Sequence, residues 1–156
     1  MLLTNHTLTG ILLGLSLDNP VVLAPTAIAS HLALDMTPHF GHPAFAGGFR
    51  KTPFLLLGSL DFALSIGVTA AACLIWPTRA GHILIGVAGA DLPDFTYIPV
   101  IIFGRRKIEH WFGFYRPMLN FLAKIQWFEK PSGAVTEIVW ALLMLSLLHS
   151  MLPAPS

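Results

Sequence analysis

The sequence predicts an all-α integral membrane protein: one domain over residues 1–156, folded as a helical bundle. It has about five transmembrane segments, an N-terminal helical hairpin and a cytoplasmic interfacial helix. Three observations predict this. Hydrophobic residues make up 54% of the chain, with a mean hydropathy of +0.70. Only 9 basic and 8 acidic residues occur among 156, whereas a soluble domain carries roughly one quarter charged residues. Long apolar runs recur along the chain, parted by short polar turns. The same composition excludes intrinsic disorder. A net charge of +1 offers no basic excess for nucleic acid. The lone Cys73 excludes a disulfide framework and a thiolate metal cluster.

Leu2–Leu17 and Pro20–Leu34 are apolar stretches parted by Asp18-Asn19-Pro20. Each is short for a span, at about 23 Å as a helix, so the pair reads as a hairpin that either crosses at a tilt or re-enters. Pro20 suits the first position of the second helix. No Lys or Arg precedes Arg50, so the basic start of a signal peptide is missing. Pro53–Trp76 is the longest apolar run, interrupted only by Asp61. Thr78–Phe103 is apolar but carries Asp91-Leu92-Pro93-Asp94, where a helix is expected to end or break because Pro93 lacks a donor. Ala134–Leu152 is the last span, entered after Pro131 and Gly133 and left at Pro153. Between the last two, Met118, Phe121, Leu122, Ile125 and Phe128 fall at helical spacing within Arg116–Glu129. With Trp111, Tyr115 and Trp127 nearby, the segment reads as an interfacial amphipathic helix or a packed connector.

Five alternating segments put Arg50, Lys51, Arg105, Arg106, Lys107, Arg116, Lys124 and Lys130 on one side and Arg79 alone on the other. That bias predicts a cytoplasmic N-terminus and an external C-terminus.

The ionisable residues are sorted as unevenly. Asp18, His82 and His149 map to the external half and read as structural. His6, His31, Asp35, His39, His42, Asp61, Asp91, Asp94, Glu109, His110, Glu129 and Glu137 map to the cytoplasmic half or mid-membrane. Ionisable groups in a membrane are costly and usually face a cavity or one another. So many acids and imidazoles at one end predict a bound cation. His31-x3-Asp35 puts two ligands on one helical face, and Thr37-Pro38 ends that helix so that His39 can fold back toward them. Imidazole with carboxylate suits zinc, and manganese less well. A helix end with hydrogen-bonded histidines is the competing account. Asp91-x-x-Asp94 offers two carboxylates at a broken helix, and Asp61 lies about 12 Å into its span with no basic residue placed to pair with it. His6 is level with His31 and can complete the ligand set. His42 and Glu129 read as solvated loop residues, and Glu137 as a helix-dipole partner.

Three islands of sequence resemble a known family. Ser30-His31-Leu32-Ala33-Leu34-Asp35, with Thr37-Pro38-His39 after it, resembles the Ser-His-Leu-x-x-Asp signature of the bacterial inner-membrane metal-dependent hydrolases, the YdjM-like family. Gly89-Ala90-Asp91-Leu92-Pro93-Asp94 resembles that family's Gly-x-x-x-Pro-Asp element, and Asn5-His6 with Gly10 and Gly14 its opening His-x3-Gly segment. The order departs from the family, in which Pro-Asp precedes Ser-His-Leu, and the His-Arg-x-x-Thr-His motif is missing. The resemblance implies a divergent or rearranged relative that binds metal in the inner membrane.

Taken together, these features predict a hydrolase acting on a lipid or lipid-linked phosphoester at the cytoplasmic interface. His6, His31, Asp35 and His39 would hold a divalent metal, zinc before manganese, with Asp91 and Asp94 completing it or binding a second. Asp61 or Asp94 would act as the catalytic base. Membrane lipid is the expected partner, with a homo-oligomer or a larger membrane complex left open. Two alternatives stand beside it: a structural or accessory subunit braced by the metal, and an ion-binding transport protein.

Overall fold

The computed structural model describes residues 1–40, 52–125 and 129–153. Arg50, Lys51, His42, Trp127 and Phe128, each singled out above, lie outside them. The described residues are mostly helical. The helices are α1 (Leu3–Ser16), α2 (Pro20–Asp35), α3 (Thr52–Ile75), α4 (Ala80–Phe95), α5 (Ile98–Phe103), α6 (Arg105–Trp111), α7 (Tyr115–Ile125) and α8 (Ala134–Ser150). Two dipeptides, β1 (His39–Phe40) and β2 (Glu129–Lys130), pair in parallel and tie the loops after α2 and α7 together.

Three helical stretches are long and apolar enough to cross a membrane: Leu55–Ile75, Pro77–Phe103 and Pro131–Ser150. Pro20–Asp35 is apolar but shorter. Leu56, Leu60 and Leu64 on α3, and Val135, Ile138 and Leu142 on α8, are exposed. A continuous apolar exterior of this kind is poorly solvated by water and suited to hydrocarbon.

The hairpin forms as its turn chemistry dictates. Asn19 caps α2 by accepting the Val21 N–H at 2.9 Å, and Pro20 opens the helix. The expected helix end at Asp91-Leu92-Pro93-Asp94 comes one residue late. Pro93 lies inside α4, which runs on to Phe95 and ends where the Thr96 N–H meets the carbonyls of Leu92, Pro93 and Asp94. The proline forfeits one hydrogen bond to the preceding turn, and the packing of α4 against α1 and α2 outweighs that loss.

Helix α1 is the axis of the bundle and touches α2, α3, α4 and α8. Leu8 and Ile11 from α1 pack with Ala72, Ile83, Met144 and Leu148 in the apolar core. Glycines set the spacing of α1 and α4. A Cβ at Gly10 would lie 2.7 Å from the Gly86 carbonyl oxygen, and one at Gly14 2.6 Å from the carbonyl oxygen of His82. Gly86 in turn abuts the carbonyl oxygen of Gly10. Such small-residue contacts let two helix backbones approach closely.

The helices alternate in direction. The start of α1, the ends of α2 and α4, and the start of α8 share one end of the bundle, where Glu137 meets Leu2 and His31 meets Ala90. At the other end, Trp76 Nε1 donates to the Met151 carbonyl, and Arg79 reaches Asp18 at 2.6 Å. The Gly86→Ala variant should force α1 and α4 apart and lose about 1–3 kcal/mol, the usual cost of overpacking. Thermal unfolding in detergent checks this, and a wild-type midpoint would contradict the close-contact account.

Candidate metal centre

The first turn of α1 enters the bundle among carboxylates from three other helices. Asp61 of α3 accepts the N–H of Leu3 at 2.6 Å, the N–H of Thr4 at 3.0 Å and the Thr4 hydroxyl at 2.5 Å. Glu137 of α8 accepts from the Leu2 N–H at 3.1 Å, the Asn5 side-chain amide at 2.6 Å and the Phe40 N–H at 3.2 Å. A helix start leaves unsatisfied N–H donors and a partial positive charge. Here both are met in trans by buried acids. Asp61 is thereby accounted for without a metal or an added proton: the N-terminus of α1 takes the place of the missing basic partner. Both its oxygens are engaged by donors from α1. Glu137 does serve a helix dipole, but that of α1 rather than that of α8 alone.

The metal-ligand types converge one step deeper. His6 and His31 stack with ring centroids 3.8 Å apart and planes 19° from parallel. His31 Nδ1 lies 2.6 Å from the Ala90 carbonyl oxygen, which can only accept, so Nδ1 carries the proton. Its Nε2 therefore faces Asp35 Oδ2 at 3.1 Å and Asp94 Oδ1 at 3.8 Å. A metal-binding histidine is usually oriented in this way, by a carbonyl on its other nitrogen. His6 Nε2 is 3.2 Å from Asp35 Oδ1, yet neither ring nitrogen of this fully buried imidazole makes an aligned hydrogen bond among the described residues. The Met1 α-amino group also contacts Asp35, at 2.7 Å.

One ligand atom each from His6, His31 and Asp94 lies within 4.8 Å of the others. Tetrahedral zinc with ligands at about 2.0–2.2 Å has ligand–ligand edges of roughly 3.3–3.6 Å. The 3.1 and 3.2 Å contacts reach different oxygens of Asp35, and the His31–Asp94 contact is 3.8 Å, so the spacing is near that shell without reproducing it. His6, His31 and Asp94 are thus of donor types and spacing that could hold a metal ion, and one unbonded nitrogen of His6 is the atom such an ion would satisfy.

Not every predicted ligand arrives there. His39 is buried in β1, with Nδ1 2.9 Å from the Thr37 carbonyl oxygen. Its backbone lies against Gly133, and it is outside the converging group of ligand atoms. The turn after Thr37-Pro38 is captured by pairing with β2 instead of folding back onto α2. Asp91 faces Thr7 and Ser65, one turn of α4 away from Asp94. Glu109 pairs with Arg105 at 2.6 Å, and His110 is exposed. His82 accepts no ligand role either, lying 2.8 Å from the Asp18 carbonyl oxygen at the far end.

Thr4, Asn5, Thr7 and Ser65 were not anticipated as part of this polar layer. Their signal was present in the polar run Thr4-Asn5-His6-Thr7 at the head of an apolar helix. No family model, curated protein or solved structure matches the chain.

Asp61→Ala should cost on the order of 3 kcal/mol, because several donors to a charged acceptor lose it together. Asp61→Asn keeps one acceptor oxygen and should cost less. Equal melting temperatures for both variants and wild type would remove Asp61 from the anchoring of α1.

Proposed function

We propose that this chain is a metal-dependent hydrolase of the bacterial inner membrane, acting on a lipid or lipid-linked phosphoester at the cytoplasmic interface. One observation carries the reading: a divalent-ion donor set, buried on three sides, is open at Asp94. The side chains of His6, His31 and Asp35 are at most 1% exposed, while that of Asp94 is 31% exposed. A structural metal site is closed by protein ligands, whereas a catalytic one keeps a position for water or substrate.

His6, His31 and Asp35 would hold the ion, zinc before manganese, with Asp94 on the open side. When bound there, the ion would polarise a phosphoryl oxygen and lower the pKa of a water toward neutrality. Asp94, the partly exposed carboxylate, would accept that water's proton. Asp35 reaches both imidazoles, one with each oxygen, and so fixes their spacing. The Ala90 carbonyl holds the tautomer of His31.

The surroundings favour an anionic, membrane-borne substrate. Asp94 lies near the end of α4, and α5 and α6 follow it directly with Arg105, Arg106 and Lys107. Helix α7 is strongly amphipathic, with Leu119 and Leu122 buried and Phe121 and Lys124 exposed. Trp111, Phe112 and Phe114 are exposed beside it. Aromatic and cationic side chains together suit the headgroup layer. The eight-to-one distribution of Lys and Arg supports five crossings, a cytoplasmic N-terminus and an external C-terminus.

A metal that only braces the helices is the second reading, favoured by the near-complete burial of His6, His31 and Asp35. Metal analysis and phosphodiester hydrolysis in mixed micelles, on wild type, His31→Ala and Asp94→Asn, distinguish the two. The hydrolase reading expects near-stoichiometric zinc or manganese lost in His31→Ala together with activity. It also expects a fall of about 10²–10⁴-fold in kcat for Asp94→Asn, the usual worth of a general base. Metal retained in an inactive wild type would assign bracing. A folded, metal-free wild type insensitive to chelator would remove the metal.

A further inference from the structure

Asp91 is used by neither the metal cluster nor the anchoring of α1. It sits on α4 with 2% exposure, walled in by α1 and α3. Its oxygens lie 3.0 and 3.3 Å from the Thr7 hydroxyl and, for one of them, 3.5 Å from the Ser65 hydroxyl. Thr7 and Ser65 are 2.6 Å apart, and the Thr7 oxygen is 3.0 Å from the Leu3 carbonyl oxygen.

The hydrogens do not suffice for these oxygens. Two hydroxyl protons are available, and the Thr7–Ser65 contact uses one whichever side donates. If Ser65 donates to Thr7, the Thr7 proton goes either to Asp91 or to the Leu3 carbonyl. If Thr7 donates to Ser65, the Ser65 proton reaches Asp91 only at the 3.5 Å limit. The buried carboxylate thus receives at most one hydroxyl hydrogen bond, where a charged group needs several. Among the described residues no Lys, Arg or His lies within ion-pair distance of it.

We infer that Asp91, Thr7 and Ser65, with the Leu3 carbonyl beside them, form a binding site for a small monovalent cation, sodium in character, separate from the His6–His31 cluster. A cation reverses the hydrogen deficit. Thr7 sends its proton to Leu3, both hydroxyls turn lone pairs inward, and the carboxylate gains a counter-charge. The donor set is oxygen only, which suits hard cations better than zinc. One carboxylate balances one positive charge, and a divalent ion would leave a net charge buried in low dielectric. Oxygens as close together as 2.6–3.5 Å suit a small ion better than a large one, and so sodium better than potassium. A protonated Asp91 donating to Thr7 is the competing account, and it needs no cation.

The test is thermal unfolding of the purified full chain in detergent, after removal of divalent ions by chelator. Sodium chloride is compared with choline chloride at equal ionic strength. Sodium should give a saturable rise of roughly 5 °C in wild type, with a smaller rise in potassium chloride. Thr7→Val should abolish the sodium response. Asp91→Asn, neutral and isosteric, should fold without sodium and ignore it. Identical wild-type melting in sodium and choline overturns the inference and assigns a protonated carboxylate; so does a sodium rise that persists in Asp91→Asn. The inference does not rest on the proposed hydrolase. A protein that binds zinc and cleaves phosphoesters but ignores sodium refutes this site alone, and a sodium-responsive protein without zinc refutes only the other.

Discussion

The bundle depends on how the two ends of one buried helix are satisfied. A helix surrounded by apolar neighbours cannot leave its terminal N–H and C=O groups to water. At the start of α1, Asp61 and Glu137 accept the N–H groups of Leu2, Leu3 and Thr4. At its end, the Arg79 guanidinium donates to the carbonyls of Gly14, Leu15 and Leu17 while pairing with Asp18. Negative charge meets the positive end of the dipole and positive charge the negative end. Because the capping groups come from α3, α8 and the turn before α4, they fix the depth of α1 against three neighbours at once.

That depth decides what the polar residues of α1 meet. Consecutive helix positions point about 100° apart, so neighbours in sequence face different partners. His6 stacks on His31 of α2, and Thr7 touches Ser65 of α3 and Asp91 of α4. Asn5 turns to Glu137, and one turn later Thr9 accepts from Trp140 of α8. The close approach at Gly10 and Gly86 brings α4 near enough for Asp91 to reach Thr7. A slide of α1 by one turn would move its polar side chains away from all of these groups together.

Much of the fold was legible in the sequence, for stated physical reasons. Apolar run length marks α3 and α8, and Asn19-Pro20 marks the hairpin. The His31–Asp35 pair follows from helical spacing, and its meeting with His6 and Asp94 follows from alternating helix directions. Three things were not legible. Pro93 signals that α4 ends nearby but not that the proline itself stays helical, which packing on both sides of α4 allows. Asp61 has no cationic side chain to pair with because its partner is backbone, and a helix terminus from elsewhere in the chain leaves no mark at position 61. His39 is drawn away by pairing with residues about 90 positions later, a contact between two loops with no periodicity to announce it.

The division of acids between structure and chemistry follows from where hydrogen-bond donors are plentiful. Asp61 and Glu137 each receive three or more donated hydrogen bonds from α1 and its surroundings, so their charge is met and their position rigid. Around His6 and His31 the balance is reversed. Two imidazoles and two carboxylates approach one another, neither nitrogen of His6 makes an aligned hydrogen bond, and the one proton fixed on His31 points outward to Ala90. Acceptors facing one another in a dry interior need positive charge among them, which the Met1 ammonium supplies to Asp35 and a bound ion would supply to the imidazoles. The polar layer at one end of the bundle is therefore of two kinds. Donor-rich acids hold α1 in place, and the donor-poor cluster that α1 thereby assembles has the composition of a metal centre.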